Sequence, residues 1–365
     1  MKRIIQIIPY RRLIPDGVGD YGSMIATEWK AQNGTETAFL ATSPKDFEGE
    51  CSDGHETHYL KAKSSEALIA GLEALINVSG EVCIILHMSA YGYQKRAVPF
   101  WLLKGISNFR QLHPEVFLLS IFHEISAHSW RPWRSSFYLS GLQKKIAKEI
   151  LRLSDSVVTP CQSYARELAG FERRPETQIR ALPVFSTVGT TPNIAQSETL
   201  SRLALFGGRA QRHKIFTEYL PALKHLCSEM RVEEIVNIGS KDERFPFVIG
   251  GIPVRQMGRL SADDVSQELS RCRYGVITYD ATRLGKSTVM ACMAAHGLNI
   301  VCFDKAIQAS EGLENGQHIV ITESELSEVQ LASLGQAHKA MEHWYNPHCL
   351  PAQIPVFEAI LAGGL

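Results

Sequence analysis

Three features that would place the chain in a special class are absent from its sequence. Its eight cysteines are scattered and form no CxxC pair, which argues against a zinc site or a disulfide framework and indicates reduced thiols in a cytoplasmic protein. Lys+Arg and Asp+Glu balance at 38 each, so no excess charge points to nucleic acid. No run approaches the roughly 20 apolar residues of a membrane span, and the apolar run that ends at Ile8 is too short for a signal peptide. The sequence therefore predicts a soluble protein that begins with a buried strand.

Short β-branched runs alternate with helical patterns along nearly the whole chain, which predicts βαβ units, parallel sheets and an α/β fold. The helical patterns include single helices over His213–Glu229 and Glu323–Trp344. A chain of 365 residues is long for one hydrophobic core, so two domains are expected. The clearest change in composition is a stretch rich in Ser, Thr, Gly, Asn and Pro. It divides the chain into a first domain over 1–185, a linker over 186–201 and a second domain over 202–346, with a C-terminal helix in 347–365 that packs back on the first domain.

A glycine-rich segment, Asp16–Gly22, follows the first strand and precedes a helix. Its glycines, which include Gly17 and Gly19, match G-x-G-x-x-G and would let the backbone approach a ligand closely. The strand ends at Ile8, too early for the tight turn of a dinucleotide site, and Glu36 opens the second strand instead of closing it. The segment is thus either a ligand-contacting loop or an ordinary connection between strand and helix.

Two cations, Arg209 and Lys214, follow the first predicted strand of the second half, directly after Gly208. An arginine can hold two phosphate oxygens at once while a lysine acts as a point charge, so this pair suits a diphosphate. Arg212 and His213 also lie here, and the alternative is a solvated basic turn. Ligands of open α/β sheets bind at the carboxyl ends of strands, which favours binding.

A second strand-to-helix segment reads Gly285-Lys286-Ser287-Thr288. It is not a Walker A loop, because Asp280 stands where that loop needs its first glycine. Backbone N–H groups at the helix N-terminus, the two hydroxyls and the lysine charge could together hold an anion. The alternative is a plain helix cap.

Titratable side chains also close two predicted strands of the first half. His87 ends one strand and has the pattern of a hydrogen-bonded structural residue, whereas the pair His123 and Glu124 could orient a hydroxyl or share a proton. A zinc site of the HExxH type is excluded, because Ala127 stands where the second histidine belongs.

Aromatic residues and arginines interleave in Ser129–Tyr138, which contains Trp133 and Arg134. Such a segment can stack on sugars or bases and hold phosphates, or lie at a membrane surface beside the lysines of the next helix. It can also be a capped helix entry with a solvated basic face. The sequence leaves these three interpretations open.

In their order and spacing, these segments resemble the retaining nucleotide-sugar glycosyltransferases of the GT-B fold, the large bacterial group four. The matches, which span essentially the whole chain, are Asp16–Tyr21 with the family's GGVGxY loop, the strand-end His123, Ser154–Cys161, Gly208-Arg209 with Lys214, and Gly258–Ser261. The resemblance implies two Rossmann-like domains facing across a cleft, with the acceptor on the first domain and the nucleotide sugar on the second.

The resemblance also implies roles for individual residues. Arg209 and Lys214 would stabilise the departing diphosphate, and His123 would contact the transferred sugar. Other residues implied on the donor side are Gly17, Gly19, Gly208, Leu260, Gly285, Lys286, Ser287 and Thr288; those implied on the acceptor side are Asp16, Tyr21, Glu124, Trp133 and Arg134. No metal and no cofactor are implied. The expected acceptor is a glycan or lipid-linked sugar of cell-surface polysaccharide synthesis, with peripheral contact to the inner membrane.

One departure from the family's pattern bears on activity. Leu284 and Cys292 stand where the family has the two glutamates of its E-x7-E motif, which contact the donor sugar and the ribose. Leucine has no polar atom and cysteine is a weak partner, so recognition of the donor must differ or be lost. Two alternatives to a transferase follow: a non-catalytic binding or assembly subunit, and a sugar-nucleotide epimerase.

Overall fold

The computed structural model describes residues 3–11, 17–43, 53–76, 81–126, 135–172, 179–189, 201–306 and 308–363, with the backbone alone at 135–137 and 172. The chain forms two compact units. The first comprises Met1–Pro160, Tyr164–Leu182 and Gln353–Leu365, and the second comprises Cys161–Ser163 and Pro183–Ala352. Asp16, Trp133, Arg134 and most of the predicted linker lie outside the described residues.

The first unit is built on a seven-stranded parallel sheet of order β3-β2-β1-β4-β5-β6-β7. Its strands are β1 (Arg3–Ile8), β2 (Glu36–Ala41), β3 (Glu56–Tyr59), β4 (Val82–Met88), β5 (Phe117–Phe122), β6 (Ser156–Thr159) and β7 (Ile179–Ala181). Its helices are α1 (Gly17–Asn33), α2 (Ser65–Ile76), α3 (Ala90–Tyr93), α4 (Phe100–Leu112), α5 (Ser135–Leu153) and α6 (Gln162–Glu172). The chain's last helix, α13 (Leu350–Leu361), packs Phe357 against Trp29 of α1, with 5.7 Å between ring centroids.

The second unit has another seven-stranded sheet, of order β10-β11-β9-β8-β12-β13-β14. Its strands are β8 (Arg202–Phe206), β9 (Glu234–Ile238), β10 (Val248–Ile249), β11 (Ile252–Gly258), β12 (Tyr274–Thr278), β13 (Asn299–Phe303) and β14 (Val320–Thr322). Its helices are α7 (Arg209–Thr217), α8 (Leu220–Glu229), α9 (Ala262–Ser270), α10 (Thr288–Ala295), α11 (Glu328–Leu334) and α12 (Ala337–Tyr345). All strand pairs are parallel except the β10–β11 hairpin.

Both sheets place their first strand beside the fourth, in the 3-2-1-4-5-6 order of a Rossmann-like sheet once the short hairpin strand β10 is set aside. In such a sheet the strand order reverses between the first and fourth strands, and a crevice opens at their carboxyl ends. The two reversal points lie between β1 and β4 in the first unit, and between β8 and β12 in the second. These two points are where ligand-binding residues are expected.

The prediction of two long helices is wrong in both places. The first divides into α7 and α8, because Pro221 begins the new helix and cannot continue the old one. The second starts later and divides into α11 and α12, with a capping box formed by Ser327 and Gln330 at the start of α11. Across the described ranges, no helix combines the length and apolar character that crossing a membrane requires.

Candidate functional site

A pocket of about 170 Å³ lies at the reversal point of the second sheet. Four residues predicted on the donor side line it, namely Gly208, Lys286, Ser287 and Thr288. The remaining lining residues come from the ends of β8 and β12, from the first two turns of α7 and from the first turn of α10: Phe206, Gln211, Arg212, Ile215, Ile277, Thr278, Tyr279 and Val289. Two loops that are far apart in sequence therefore meet on one cavity.

The N-terminus of α10 opens on this pocket. The Ser287 hydroxyl accepts a hydrogen bond from the Met290 N–H (3.2 Å), so this side chain is the helix cap. Thr288 and Val289, the first two residues of the helix, line the pocket. Because the first N–H groups of a helix have no partner within it and the helix dipole is positive at this end, the pocket wall suits an anion. Lys286 adds a full positive charge to the same wall.

Arg209 and Lys214 lie on α7 near the pocket but do not line it. The Arg209 side chain is 62% exposed, and its Nε lies 3.9 Å from Asp242 Oδ2. Lys214 Nζ lies 3.6 Å from Glu218 Oε2. Hydrogen bonds from Arg244 hold the pKa of Asp242 well below its usual value, so this carboxylate stays ionised beside Arg209. Each cation therefore lies within ion-pair distance of a carboxylate, of which Glu218 is exposed and Asp242 has a side chain only 7% exposed.

Arg212, which would be exposed if this segment were a solvated basic turn, is only 1% exposed. Its guanidinium donates to Gly207 O (3.0 Å), Asn237 Oδ1 (2.8 Å) and Ser240 O (2.6 Å). These bonds fix the start of α7 to the ends of β8 and β9, and so place one wall of the pocket. Gly207 adopts a φ of +120°, a conformation that favours glycine at this turn.

Gly285 and Leu260 are the other donor-side predictions within the second unit, and neither lines the pocket. The Gly285 N–H donates to Glu311 Oε2 (3.2 Å), and its carbonyl accepts from the Val184 N–H (2.7 Å). A carboxylate of the protein therefore occupies one N–H that the sequence assigns to a ligand. Leu260 is half-buried just after β11. Sequence reasoning missed Glu311 because its loop lacks a recognisable motif.

The two positions of the glutamate motif are buried. Leu284 is 0% exposed and lies in the 3-10 turn Ala281–Lys286 that leads to α10, while Cys292 is 1% exposed within α10. Burial raises the pKa of the Cys292 thiol, which keeps it protonated. Neither side chain offers an acceptor to a donor sugar.

The reversal point of the first sheet carries a histidine pair. His87 of β4 is fully buried, and its Nδ1 lies 3.0 Å from Nε2 of the half-buried His123, which follows β5. Tyr21 of α1 packs edge-on against both rings, at 6.0 Å from His87 and 5.2 Å from His123 between centroids. Glu124 is half-buried next to His123, and its N–H lies 3.4 Å from Met88 O. The structure therefore brings together His123, Tyr21 and Glu124 from the predictions.

The prediction that the glycine-rich segment precedes a helix is wrong from Gly17 onward, because Gly17–Gly22 forms the first turns of α1. Gly17 is exposed at the start of the helix and Gly19 is buried in its first turn. Gly22 faces the sheet: a Cβ there would lie 2.7 Å from Gln6 Oε1 and 3.5 Å from His87 Nε2. This glycine allows helix and strand to approach closely. Among the residues that the structure describes, no group of three or more His, Cys, Asp or Glu could hold a metal ion.

No protein-family model and no curated protein matches the chain, but solved structures match it over essentially its full length. The apo form of WaaB, a lipopolysaccharide outer core galactosyltransferase, is 12% identical with a TM-score of 0.62, and 100% of both chains is covered. The pneumococcal O-GlcNAc transferase GtfA in complex with UDP and GlcNAc is 8% identical with a TM-score of 0.61, over 100% of this chain and 99% of that chain. The chain has the GT-B fold.

The same fold carries a second activity among the matched structures. The UDP-GlcNAc 2-epimerase from Methanocaldococcus jannaschii is 10% identical with a TM-score of 0.54, and 100% of both chains is covered. At such identities the similarity establishes the fold, and function must be argued from the site.

Proposed function

We propose that the protein is a retaining glycosyltransferase that moves a sugar from a nucleotide-sugar donor to a glycan or lipid-linked acceptor. The observation that carries the proposal is the pocket in the second unit, where Lys286 and the N-terminus of α10 meet the Gly208 turn. This is the place where an open α/β sheet binds ligands, and its wall suits a diphosphate. The acceptor would be held by the first unit, where His123 would contact the transferred sugar.

In the proposed reaction, charge develops on the departing diphosphate. Lys286 and the N–H groups of Thr288 and Val289 would stabilise part of that negative charge. Arg209 and Lys214 would add to this stabilisation by leaving Asp242 and Glu218. The Arg209 and Lys214 side chains are 62% and 41% exposed, so solvent screens both contacts, and Asp242 keeps its hydrogen bonds from Arg244; exchanging the contacts for a diphosphate therefore costs only about 0–1 kcal/mol each. These cations would serve in place of a metal ion, and no cofactor is needed.

The acceptor and the setting are proposed from the resemblance and from an exposed surface. WaaB acts in the lipopolysaccharide outer core, which favours a role in cell-surface polysaccharide synthesis. In the first unit Tyr91, Tyr138 and Leu142 are 41%, 70% and 40% exposed. Tyr91 lies in α3 and the exposed Lys95 just after it, while Tyr138, Leu142 and the exposed Lys145 lie on α5. The Gln143 side chain of α5 joins the two segments by hydrogen bonds to Tyr91 Oη (3.5 Å) and Arg96 O (3.2 Å). We therefore include peripheral contact with an anionic lipid surface.

Sedimentation with vesicles tests the lipid contact. The protein is expected to sediment with vesicles that contain anionic lipid and to stay in solution with neutral ones. A Tyr138→Ser/Leu142→Ser double variant should lose most of the binding, because it removes the exposed apolar side chains and keeps the lysines. Equal recovery with both kinds of vesicle, or with the double variant, would contradict the contact.

The buried Leu284 and Cys292 favour a second candidate, a non-catalytic binding or assembly subunit. Without acceptors at these positions the pocket could hold a nucleotide and leave the sugar unrecognised. A weaker alternative is a sugar-nucleotide epimerase, the activity of one matched structure. The products distinguish these alternatives from a transferase. A binding or assembly subunit forms no product, and an epimerase isomerises the donor without an acceptor.

A thermal-shift screen against UDP, GDP, ADP and dTDP and their common sugar conjugates tests nucleotide binding. One base should raise the melting temperature of the wild type, because a ligand that binds only the folded state stabilises it. Lys286→Ala should lose most of this rise, whereas Lys305→Ala, an exposed lysine of the same unit, should keep it. No rise with any nucleotide would exclude the proposed donor site.

A further inference from the structure

A chain of hydrogen bonds runs beneath the carboxyl ends of β1, β4 and β5. The Gln6 side-chain nitrogen donates to Gly22 O (3.1 Å), Gln6 Oε1 lies 2.7 Å from His87 Nε2, and His87 Nδ1 lies 3.0 Å from His123 Nε2. Gln6 and His87 are both 0% exposed. The two imidazole planes are within 14° of each other and their centroids are 5.3 Å apart, an arrangement that allows an in-plane hydrogen bond between the ring nitrogens.

The direction of each bond follows from the first one. A backbone carbonyl only accepts, so the amide nitrogen of Gln6 must face Gly22 and its oxygen must face His87. His87 Nε2 therefore carries a proton and donates it to Gln6 Oε1.

The position of the proton on His123 follows from the position of the proton on His87. Burial holds the pKa of His87 well below its ordinary value of 6.5, so His87 is neutral and, with its proton on Nε2, carries none on Nδ1. That nitrogen can only accept, and Nε2 of His123 must be the donor.

We propose that Gln6 and His87 are positioning residues that fix the proton of His123 on Nε2. The proposal rests on the proposed function, in which His123 contacts the transferred sugar. Any hydrogen bond that neutral His123 accepts must then end at Nδ1, so the ligand group it recognises is a donor, such as a sugar hydroxyl, and not a phosphate or carboxylate. Tyr21, edge-on against both rings, restricts their rotation.

Nuclear magnetic resonance of the full chain with ¹⁵N-labelled histidine tests the proton position, and a His123→Gln spectrum assigns the signals. The wild type should show His123 as one tautomer, with the proton on Nε2.

His87→Leu removes the acceptor, and a second tautomer should appear. His87→Asn places an amide oxygen near the position of Nδ1, and the single tautomer should return. A proton on Nδ1 in the wild type overturns the proposal, and this result needs no variant to fold. An unchanged spectrum in a folded His87→Leu protein also overturns it.

Turnover separates this proposal from the function on which it rests. With an active donor, His87→Leu should lower kcat by roughly 10- to 100-fold, the range for losing a group that orients a functional histidine, and His87→Asn should recover most of that loss. The spectroscopic measurement uses no substrate. If His123 is the Nε2 tautomer but no donor is turned over, only the proposed function is contradicted. If donor is turned over but His123 is the Nδ1 tautomer, only the positioning role of Gln6 and His87 is contradicted.

Discussion

At the residue scale, Gly22 shows that packing can account for a motif that resembles a ligand loop. It is the last glycine of Asp16–Gly22, and a Cβ at this position would meet Gln6 Oε1 at 2.7 Å and His87 Nε2 at 3.5 Å. A side chain would therefore displace the hydrogen bond between these two residues. Gly17, by contrast, has nothing within 4 Å of the position of a Cβ.

We expect Gly22→Ala to lower the free energy of unfolding by roughly 1–3 kcal/mol, the usual cost of inserting a methyl group into a packed interior. Gly17→Ala, on the same helix, should change it by less than about 0.5 kcal/mol. Urea unfolding of both variants measures the difference. Equal effects of the two substitutions would show that the space around Gly22 is not limiting.

His87 gives a pH dependence of stability. Its pKa is lowered by burial, so on acidification the unfolded chain binds a proton from about pH 6.5 downward while the folded chain does not. The free energy of unfolding should therefore fall as the pH drops below 6.5, by at most about 1.4 kcal/mol per pH unit from this group.

His87→Asn lacks the titrating group, so the free energy of unfolding of this variant should fall less steeply with pH. His55, His296, His338 and His348 also have lowered pKa values and contribute equally to both proteins. Parallel slopes for wild type and variant would contradict a buried neutral His87.

At the scale of elements, α7 carries one buried arginine and one exposed arginine within a single turn. Arg212 is buried and satisfies Gly207 O, Asn237 Oδ1 and Ser240 O, whereas Arg209 is 62% exposed at the first residue of the helix. From sequence both look like members of one basic turn. Helical geometry and the buried amide of Asn237 distinguish them, and neither is visible without the fold.

We expect Arg212→Met to lower the free energy of unfolding on the order of 3 kcal/mol, because it leaves three buried acceptors without their charged donor. Arg209→Ala should change stability by less than about 1 kcal/mol, since the Arg209 side chain is 62% exposed, its contact with Asp242 is 3.9 Å long, and Arg244 still holds this carboxylate. If the proposed reaction holds, the same Arg209 variant should lose about 2–4 kcal/mol of transition-state stabilisation. Urea unfolding and kcat/KM measured on both variants check the contrast. A folded, fully active Arg212→Met protein, or unaltered turnover in Arg209→Ala, would reverse the assignment.

At the scale of the whole molecule, the repeated rhythm of strands and helices predicts much of the fold. Buried apolar runs alternate with helices twice, and two sheets with the 3-2-1-4-5-6 order follow. The strand ends also predict where Lys286, Ser287 and His123 lie. Two polar features of the first sheet could not be predicted. Gln6 lies within an apolar strand, and β3, with the sequence Glu-Thr-His-Tyr, forms an edge strand without an apolar run.

In the proposed reaction, a nucleotide sugar binds in the pocket of the second unit and its sugar is transferred. Proton NMR of the wild type with the donor that stabilises it tests this most directly, because the anomeric signals report both cleavage and configuration. With water in place of the unidentified acceptor, we expect release of the nucleoside diphosphate and a free sugar whose first-formed anomer keeps the configuration of the donor, with both signals strongly reduced in Arg209→Ala. A donor that binds and stays intact would contradict the account and favour the non-catalytic subunit. A donor that isomerises without releasing diphosphate would contradict it in favour of the epimerase.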